Sequence, residues 1–183
     1  MGSPKLESAI AFATEKHRGQ YRDGEAPLPY ICHPFDVLAN LRYVGEVTDE
    51  DLWCAAILHD VVEETDATLA DVEAQCGSRV AELVQELTRV EPGQDEIQGM
   101  DKEQIWELRS KMLLEEIEKM SSAAQMVKLS DRLSNLQEAE RTKPEKKLKR
   151  YNRQTAKILK IIPKSVNPGL WAAVKSLHDR IGE

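Results

Sequence analysis

Residues 55–65 read AAILHDVVEET, and this stretch decides how the whole sequence is interpreted. It starts with four residues apolar enough for a buried helix. Four ionisable side chains then follow within six positions: His59, Asp60, Glu63 and Glu64. On a helix, His59 and Glu63 share one face, and Asp60 and Glu64 share the next. Burying these groups is costly unless something compensates their charge, and a divalent cation would do so.

The composition bounds the class of protein. The chain has 183 residues, of which 41% are hydrophobic, so it is long enough for one domain with a sizeable core. No apolar run approaches the ~20 residues of a membrane span, and the first residues lack the apolar region of a secretory signal. Cys32, Cys54 and Cys76 are widely separated and form no CxxC motif. We therefore expect a single cytoplasmic domain over residues 1–183, without a membrane partner.

The charge is unevenly distributed. Residues 1–140 contain 13 basic and 29 acidic side chains, whereas residues 141–183 contain 12 basic and 3 acidic ones. Ten of these basic residues lie in the segment 141–164, which is either a solvated helix face or a rim that attracts phosphate beside a pocket. Because Tyr151 lies within it, we favour the rim. Duplex nucleic acid is disfavoured as a partner, because the acidic remainder would repel it.

Apolar residues recur at helical spacing along the chain, and we find no alternating strand pattern of useful length. Thr48 is the predicted N-cap of the third helix, with Asp51 reaching back to it. Residues 90–100 form a predicted mobile connection. The fold class is thus all-α: a single bundle of about eight to ten helices, with its core at about 5–160 and a C-terminal helix at about 168–182. The predicted helices cover residues 4–17, 35–44, 48–64, 68–77, 78–88, 101–120, 123–141, 144–160 and 170–181.

Two further side chains complete a candidate metal site. His33 lies in YICHP at a loop-to-helix junction, and Asp131 lies in MVKLSDRLSNL, another apolar helix interrupted by charge. A lone His or Asp in such a place is usually a core or surface residue. Together with His59 and Asp60, however, they offer two imidazoles and two carboxylates and leave positions for water, which suits Mn²⁺ or a similar ion.

Three stretches carry a family resemblance. HRGQYRDGEAPLPYICHP (17–34), AAILHDVVEET (55–65) and VKLSDRLSNL (127–136) resemble, in order and spacing, the hydrolase domain of the RelA/SpoT homologues within the HD-domain metal-dependent phosphohydrolases. They are most similar to the small alarmone hydrolases of the metazoan SpoT-homologue type. The resemblance covers residues 5–160. It implies an enzyme that removes the 3′-pyrophosphate from ppGpp or pppGpp to give GDP or GTP.

The resemblance also implies roles for individual residues. One Mn²⁺ per chain would be held by the HD-type ligands His33, His59, Asp60 and Asp131. The acidic pair Glu63 and Glu64 would position or deprotonate the attacking water. The guanosine alarmone would be bound by residues that match the family's nucleotide contacts or that offset the acidic mouth of the site, namely Arg22, Asn135, Tyr151 and Lys128.

Some positions depart from the family pattern. Asp23 stands where many relatives have Lys, Glu64 replaces the usual Asp, and Gln137 and Glu138 change the pocket wall. These departures leave open a phosphohydrolase for another nucleotide, such as a nucleotidase or an enzyme acting on NADPH. A catalytically silent nucleotide-binding protein of the same fold is the third alternative. The sequence is compatible with a monomer or a homodimer.

Overall fold

The computed structural model describes residues 3–22 and 26–182, so Asp23 lies outside the described residues. The described chain folds into helices, as the sequence predicts, and no helix in it has the length and apolar character of a membrane crossing. A π-helical turn, Asn40–Val44, continues the second helix. The helices are α1 (Pro4–Lys16), α2 (Cys32–Ala39), α3 (Glu50–Leu58), α4 (Val61–Glu64), α5 (Leu69–Cys76), α6 (Ser78–Leu87), α7 (Gln94–Ile97), α8 (Lys102–Lys119), α9 (Ser122–Thr142), α10 (Glu145–Ile161) and α11 (Pro168–Gly182).

Helix α9 is the centre of the bundle. Most of its residues from Ala124 to Leu136 are buried, and it contacts α2, α3, α6, α10 and α11. Apolar side chains such as Leu129 and Leu136 pack into the larger hydrophobic cluster. The polar side chains of α9 follow another face, so this one helix both fills the core and supplies the floor of a cleft.

Helix α3 is buried on nearly all sides because it lies between two hydrophobic clusters. Ala55 and Ala56 belong to the larger cluster, whereas Cys54, Ile57 and Leu58 pack with α1, α5 and α6 in the smaller one. All five residues are fully buried. A helix apolar all round needs such a position. The C-terminal end of α3 is thereby fixed rigidly at the site.

Several element boundaries differ from the prediction. The N-cap of α3 is Asp49, whose side chain accepts from the Asp51 backbone N–H at 2.9 Å, so the assignment of this cap to Thr48 is wrong. Residues 90–100 include the short helix α7. The most consequential difference is that the predicted helix 48–64 is interrupted after Leu58. His59 and Asp60 form a turn, in which Asp60 has φ −101° and ψ −5°.

Helix α11 closes the bundle against α9 and the π-helical turn. Asn167 connects the two, because its Nδ2 donates to the Gly45 carbonyl at 2.8 Å and its Oδ1 accepts from the Leu170 N–H at 3.0 Å. Gly169 lies so close to the carbonyl oxygen of Val44 that a Cβ atom there would clash with it. The absence of a side chain at Gly169 therefore permits this packing.

Candidate metal centre and substrate cleft

Three elements bring the predicted metal ligands together. His33 lies in the first turn of α2, His59 and Asp60 form the turn after α3, and Asp131 lies in the middle of α9. Asp60 Oδ2 is 3.5 Å from His33 Nε2 and 3.1 Å from His59 Nε2. Asp131 Oδ1 is 3.3 Å from His33 Nε2 and 3.9 Å from His59 Nε2. The ligand atoms of His33, His59 and Asp60 thus lie close enough together to hold one ion at a single point, and Asp131 Oδ1 lies within 3.9 Å of both imidazole nitrogens.

Both imidazoles are oriented by hydrogen bonds at the nitrogen that faces away from this point. His59 Nδ1 is 2.8 Å from the Ala56 carbonyl, to which it must donate, so Nε2 carries the lone pair. His33 Nδ1 is 3.1 Å from Ser134 Oγ. His59 Nε2 is buried and has no hydrogen-bond partner. A buried, unpartnered lone pair aimed at two carboxylates fits a divalent cation, since metal-binding histidines are typically fixed through their second nitrogen.

The carboxylates of Asp60 and Asp131 are also held by neighbouring side chains. Tyr30 Oη donates to Asp60 Oδ2 at 2.7 Å. Lys128 Nζ is 2.9 Å from Asp131 Oδ2, and Asn135 Nδ2 donates to Asp131 Oδ1. Burial alone would raise the pKa of the Asp131 carboxyl, but the Lys128 ammonium and the two imidazoles hold that pKa well below its usual range. Asp131 is therefore ionised, as a metal ligand must be.

The electrostatic field of the site favours positive charge. Burial opposes a proton on His59, yet Asp60 and Asp131 outweigh burial and raise the pKa of this imidazole. Carboxylates that attract a proton to the His59 nitrogen would also attract a cation to it. The donor set, its geometry and its charge therefore all fit a divalent metal, and no observation selects one metal.

The acidic pair lies at the end of α4, beside Asp60 on the wall of the cleft. Arg89 holds Glu63: its Nε and Nη2 are 2.9 and 2.5 Å from Glu63 Oε1. Burial, followed by the charges of Asp60 and Glu63, raises the pKa of Glu64. Because the helix is interrupted at residues 59–60, the argument that Glu63 shares a regular helix face with His59 is wrong. The turn nevertheless brings both acids to the same cleft as the metal ligands.

A cleft of about 790 Å³ opens beside the metal centre. Residues of α9 spaced three or four apart form its floor, and Arg22 closes one side of it. Arg22 is ion-paired with Glu138, donates to Asn135 Oδ1 at 2.9 Å, and stacks on Tyr30. The α9 residues on the floor are Lys128, Asp131, Arg132, Asn135, Glu138 and Thr142.

Tyr151 lines the opposite side of the cleft, as predicted, with the guanidinium of Arg132 stacked 4.2 Å from its ring centroid. The basic segment 141–164 is divided between two places. Lys143 and Tyr151 line the cleft, but Lys149, Arg150 and Arg153 line a separate groove. The interpretation of this segment as one continuous rim is therefore wrong for those three residues.

All ten predicted site residues except His59 line the cleft, and His59 lies directly behind it at the metal centre. The sequence interpretation missed several neighbours that orient or surround these residues. Tyr30 and Arg132 lie within the family motifs of residues 17–34 and 127–136. Four other side chains that line the cleft lie in segments whose sequence shows no functional motif, and only the fold brings them to the site. They are Arg89, Glu91, Trp106 and Arg109.

Comparisons with known proteins agree with this geometry. The HD domain family profile matches residues 9–161. A guanosine-3′,5′-bis(diphosphate) 3′-pyrophosphohydrolase MESH1 from Danio rerio is 37% identical over 76% of this chain and 72% of its own. The MESH1 enzyme of Homo sapiens is 35% identical over 100% of this chain and 98% of its own.

A solved structure is similar over the whole chain. It is that of a metazoan ortholog of SpoT that hydrolyzes ppGpp; it has a TM-score of 0.85 and 29% identity, and the match covers 100% of this chain and 98% of the other. The metal centre, the all-α bundle and these relatives lead to one assignment. The chain belongs to the HD domain family and, within it, to the group that contains the MESH1 proteins.

Proposed function

We propose that this protein is a divalent-metal-dependent guanosine-3′,5′-bis(diphosphate) 3′-pyrophosphohydrolase, which converts ppGpp or pppGpp to GDP or GTP and pyrophosphate. The observation that carries the proposal is the meeting of the His33, His59, Asp60 and Asp131 donor atoms beside an acidic pair, in a cleft large enough for a nucleotide. The names of the full-length relatives supply the substrate.

The proposed cofactor is one Mn²⁺ per chain. Two imidazole nitrogens with two carboxylate oxygens suit a first-row divalent ion. When bound, such an ion supplies charge neutralisation at the phosphate and a lowered pKa for water. The residues that would hold it are His33, His59, Asp60 and Asp131.

In the proposed reaction, a water oxygen forms a bond to the phosphorus attached to the ribose 3′ oxygen, and the bond between that phosphorus and the 3′ oxygen breaks. Glu63 is fixed by Arg89 and orients the attacking water. The acidic pair takes the proton, and the burial and neighbouring charges that raise the pKa of Glu64 make its carboxylate a stronger base than an exposed one. The acidic pair returns this proton to the departing 3′ oxygen, and the nucleotide and pyrophosphate are released.

The remaining predicted residues bind the substrate. Lys128 lies within reach of both Asp131 and the cleft, where its ammonium offsets phosphate charge. Asn135 stands farther along α9 and accepts a 2.9 Å hydrogen bond from Arg22, and both residues contact the nucleoside part. Tyr151 provides an aromatic surface on the opposite side.

The substrate assignment is tested by measuring products. Purified protein with Mn²⁺ should release pyrophosphate, and no inorganic phosphate, from ppGpp. Inorganic phosphate released from a nucleoside monophosphate or NADPH in preference would replace this substrate by another nucleotide. Nucleotide binding without turnover would contradict enzymatic function altogether.

The metal assignment is tested with Asp131→Ala. This change removes a charged ligand, so the purified variant should contain much less Mn²⁺ than the wild type in elemental analysis. Asp179→Ala, which removes an exposed carboxylate paired with Lys175, is the matched control and should keep full occupancy. Full occupancy in Asp131→Ala would contradict the four-ligand set.

We further propose that the protein works as one domain in the cytoplasm. Its cysteines are unpaired thiols, and Cys54 and Cys76 are buried, which suits a reducing compartment. The thiols should remain reduced in protein purified without added reductant, as measured by thiol titration in denaturant.

A further inference from the structure

Arg132 is a buried cation without a counter-ion. Only 3% of the residue is exposed, and it forms no ion pair within the described part of the chain. Its Nη2 donates to Gln154 Oε1 at 2.8 Å, and Gln154 Nε2 donates in turn to Ser110 Oγ at 2.9 Å. Both of these partners are neutral. Leaving a guanidinium buried opposite neutral groups is costly, and such a cost usually indicates an absent anion.

The free donors of Arg132 are specific atoms. Nε and Nη1 are buried and have no hydrogen-bond partner, and one face of the guanidinium lies against the ring of Tyr151. Both Arg132 and Tyr151 line the cleft. A movement of the Tyr151 ring would let an anion reach donors that the protein itself leaves unused. Such a pair of N–H donors matches the oxygens of a phosphate group.

The position of Arg132 on α9 indicates which phosphate group of the substrate it binds. Lys128 and Arg132 are one helical turn apart on the cleft floor, and Asp131 of the metal centre lies between them in sequence. Asn135 and Glu138, at the proposed nucleoside end, lie farther along the same helix, and Arg22 contacts both of them from the loop after α1. By its position in α9, Arg132 is therefore nearer to Asp131 and the reacting phosphate than Glu138 is.

We propose that Arg132 and Lys128 form a subsite for the distal phosphate of the departing pyrophosphate, with Arg132 as a substrate-binding residue. This inference rests on the proposed function, because it names the part of that substrate which the inner cleft holds. Lys128 and Arg132, together with a divalent metal, offset the carboxylates of Asp60, Asp131, Glu63 and Glu64, so a phosphate can bind there without meeting an excess of negative charge.

The test measures binding and does not need turnover. Inorganic pyrophosphate, as its magnesium complex, is titrated calorimetrically into the metal-loaded protein, and GDP is titrated in parallel. In Arg132→Gln, the Kd for pyrophosphate should rise at least ~10-fold, whereas the Kd for GDP should change less than ~2-fold. Arg132→Lys, which keeps the charge but loses the forked donor, should give an intermediate rise for pyrophosphate alone.

Arg150→Gln is the matched control. Arg150 also stacks on an aromatic ring, that of Trp106 at 4.5 Å, but it is ion-paired with Glu103 and lines the separate groove. This variant should bind pyrophosphate like the wild type. An unchanged Kd for pyrophosphate in either folded Arg132 variant overturns the proposal, and so does an equal weakening of pyrophosphate and GDP.

The two proposals fail in different ways. A wild-type protein that binds pyrophosphate through Arg132 but does not hydrolyse ppGpp would overturn the proposed function alone. A protein that hydrolyses ppGpp normally and binds pyrophosphate equally well without Arg132 would overturn the subsite alone.

Discussion

At the scale of single residues, the site is a set of groups that restrain one another. His59 is fixed through Ala56, Asp60 through Tyr30, and Glu63 through Arg89. The hydrogen bond of His59 uses Nδ1, the nitrogen that faces away from the metal point, and Tyr30 holds Asp60 Oδ2 beside that point. The reactive atoms are thus held in position before substrate arrives, which removes part of the entropic cost of the reaction.

Glu63→Gln tests the acid at this scale. Glutamine keeps the shape of the side chain but loses the charge that orients the attacking water and shares in taking its proton, so we expect kcat for ppGpp to fall at least ~100-fold while KM changes little. Steady-state kinetics with pyrophosphate detection measures both. The control is Glu91→Gln, because Glu91 also lines the cleft and pairs with an arginine, Arg109, but lies apart from the metal ligands. A wild-type kcat in Glu63→Gln would show that this carboxylate has only a structural role at the end of α4.

At the scale of elements, the sequence predicted most helices to within a few residues, because apolar spacing and end signals are local. Gly77, for example, ends α5 with φ 86°, as its position in the sequence indicated. The interruption at residues 59–60 could not be predicted in this way. His59 and Asp60 face side chains of α2 and α9, which come from distant parts of the chain, so local sequence patterns do not show where the helix stops.

In the candidate site, too, the sequence predicted some residues and could not predict others. The candidate metal ligands were predictable because the family motifs carry them, and the cleft-floor cations Lys128 and Arg132 lie in one of these motifs. Arg89 and Arg109 were not, since both flank the long connection between α6 and α8, where the sequence has no distinctive pattern. Their roles depend on where the tertiary fold places that connection.

Gly169→Ala tests the packing of α11 on the π-helical turn. The new methyl group would clash with the Val44 carbonyl, so we expect a loss of about 1–3 kcal/mol in the free energy of unfolding. Denaturant titration measures this loss. Gly182→Ala, in the same helix, has its nearest neighbour at 3.8 Å and should be neutral within about 0.5 kcal/mol. Equal stability of the two variants would mean that α11 shifts freely on the turn.

At the scale of the whole molecule, the basic side chains of segment 141–164 divide between the cleft and a separate groove, a division that the sequence did not show. The acidic body contains the candidate metal ligands, and the cations of the cleft come from both parts of the chain: Arg22, Arg89, Arg109, Lys128 and Arg132 from the acidic body and Lys143 from the basic segment. Two of the basic side chains of α10 form ion pairs, Lys149 with Glu145 and Arg150 with Glu103. These exposed pairs contribute little to stability.

Replacing Lys149, Arg150 and Arg153 together by Gln should therefore leave KM for ppGpp unchanged, even at low ionic strength where screening is weakest. Lys143→Gln, which removes a cation that lines the cleft, should raise KM and make its salt dependence shallower. Initial rates over a range of salt concentrations give KM and its salt dependence for both variants. A raised KM in the triple variant would restore the continuous rim.

Metal removal should lower the thermal stability of the protein. Because the ion would bind only the folded state, Mn²⁺ at ~100 times its Kd should add about 2.7 kcal/mol, and chelation should lower Tm by several degrees. Differential scanning fluorimetry with and without chelator measures the shift. Asp131→Ala should show almost no response to Mn²⁺, whereas a full response in that variant would place the ion elsewhere.

The wide separation of the metal ligands along the chain has a consequence for folding. His33 and Asp131 belong to helices that meet only when the bundle closes, so the ion would join the ends of a long loop, as a disulfide does. The intact site can form only after α2 and α9 have found each other. Mn²⁺ should therefore slow unfolding of the finished protein and leave the early folding rate nearly unchanged.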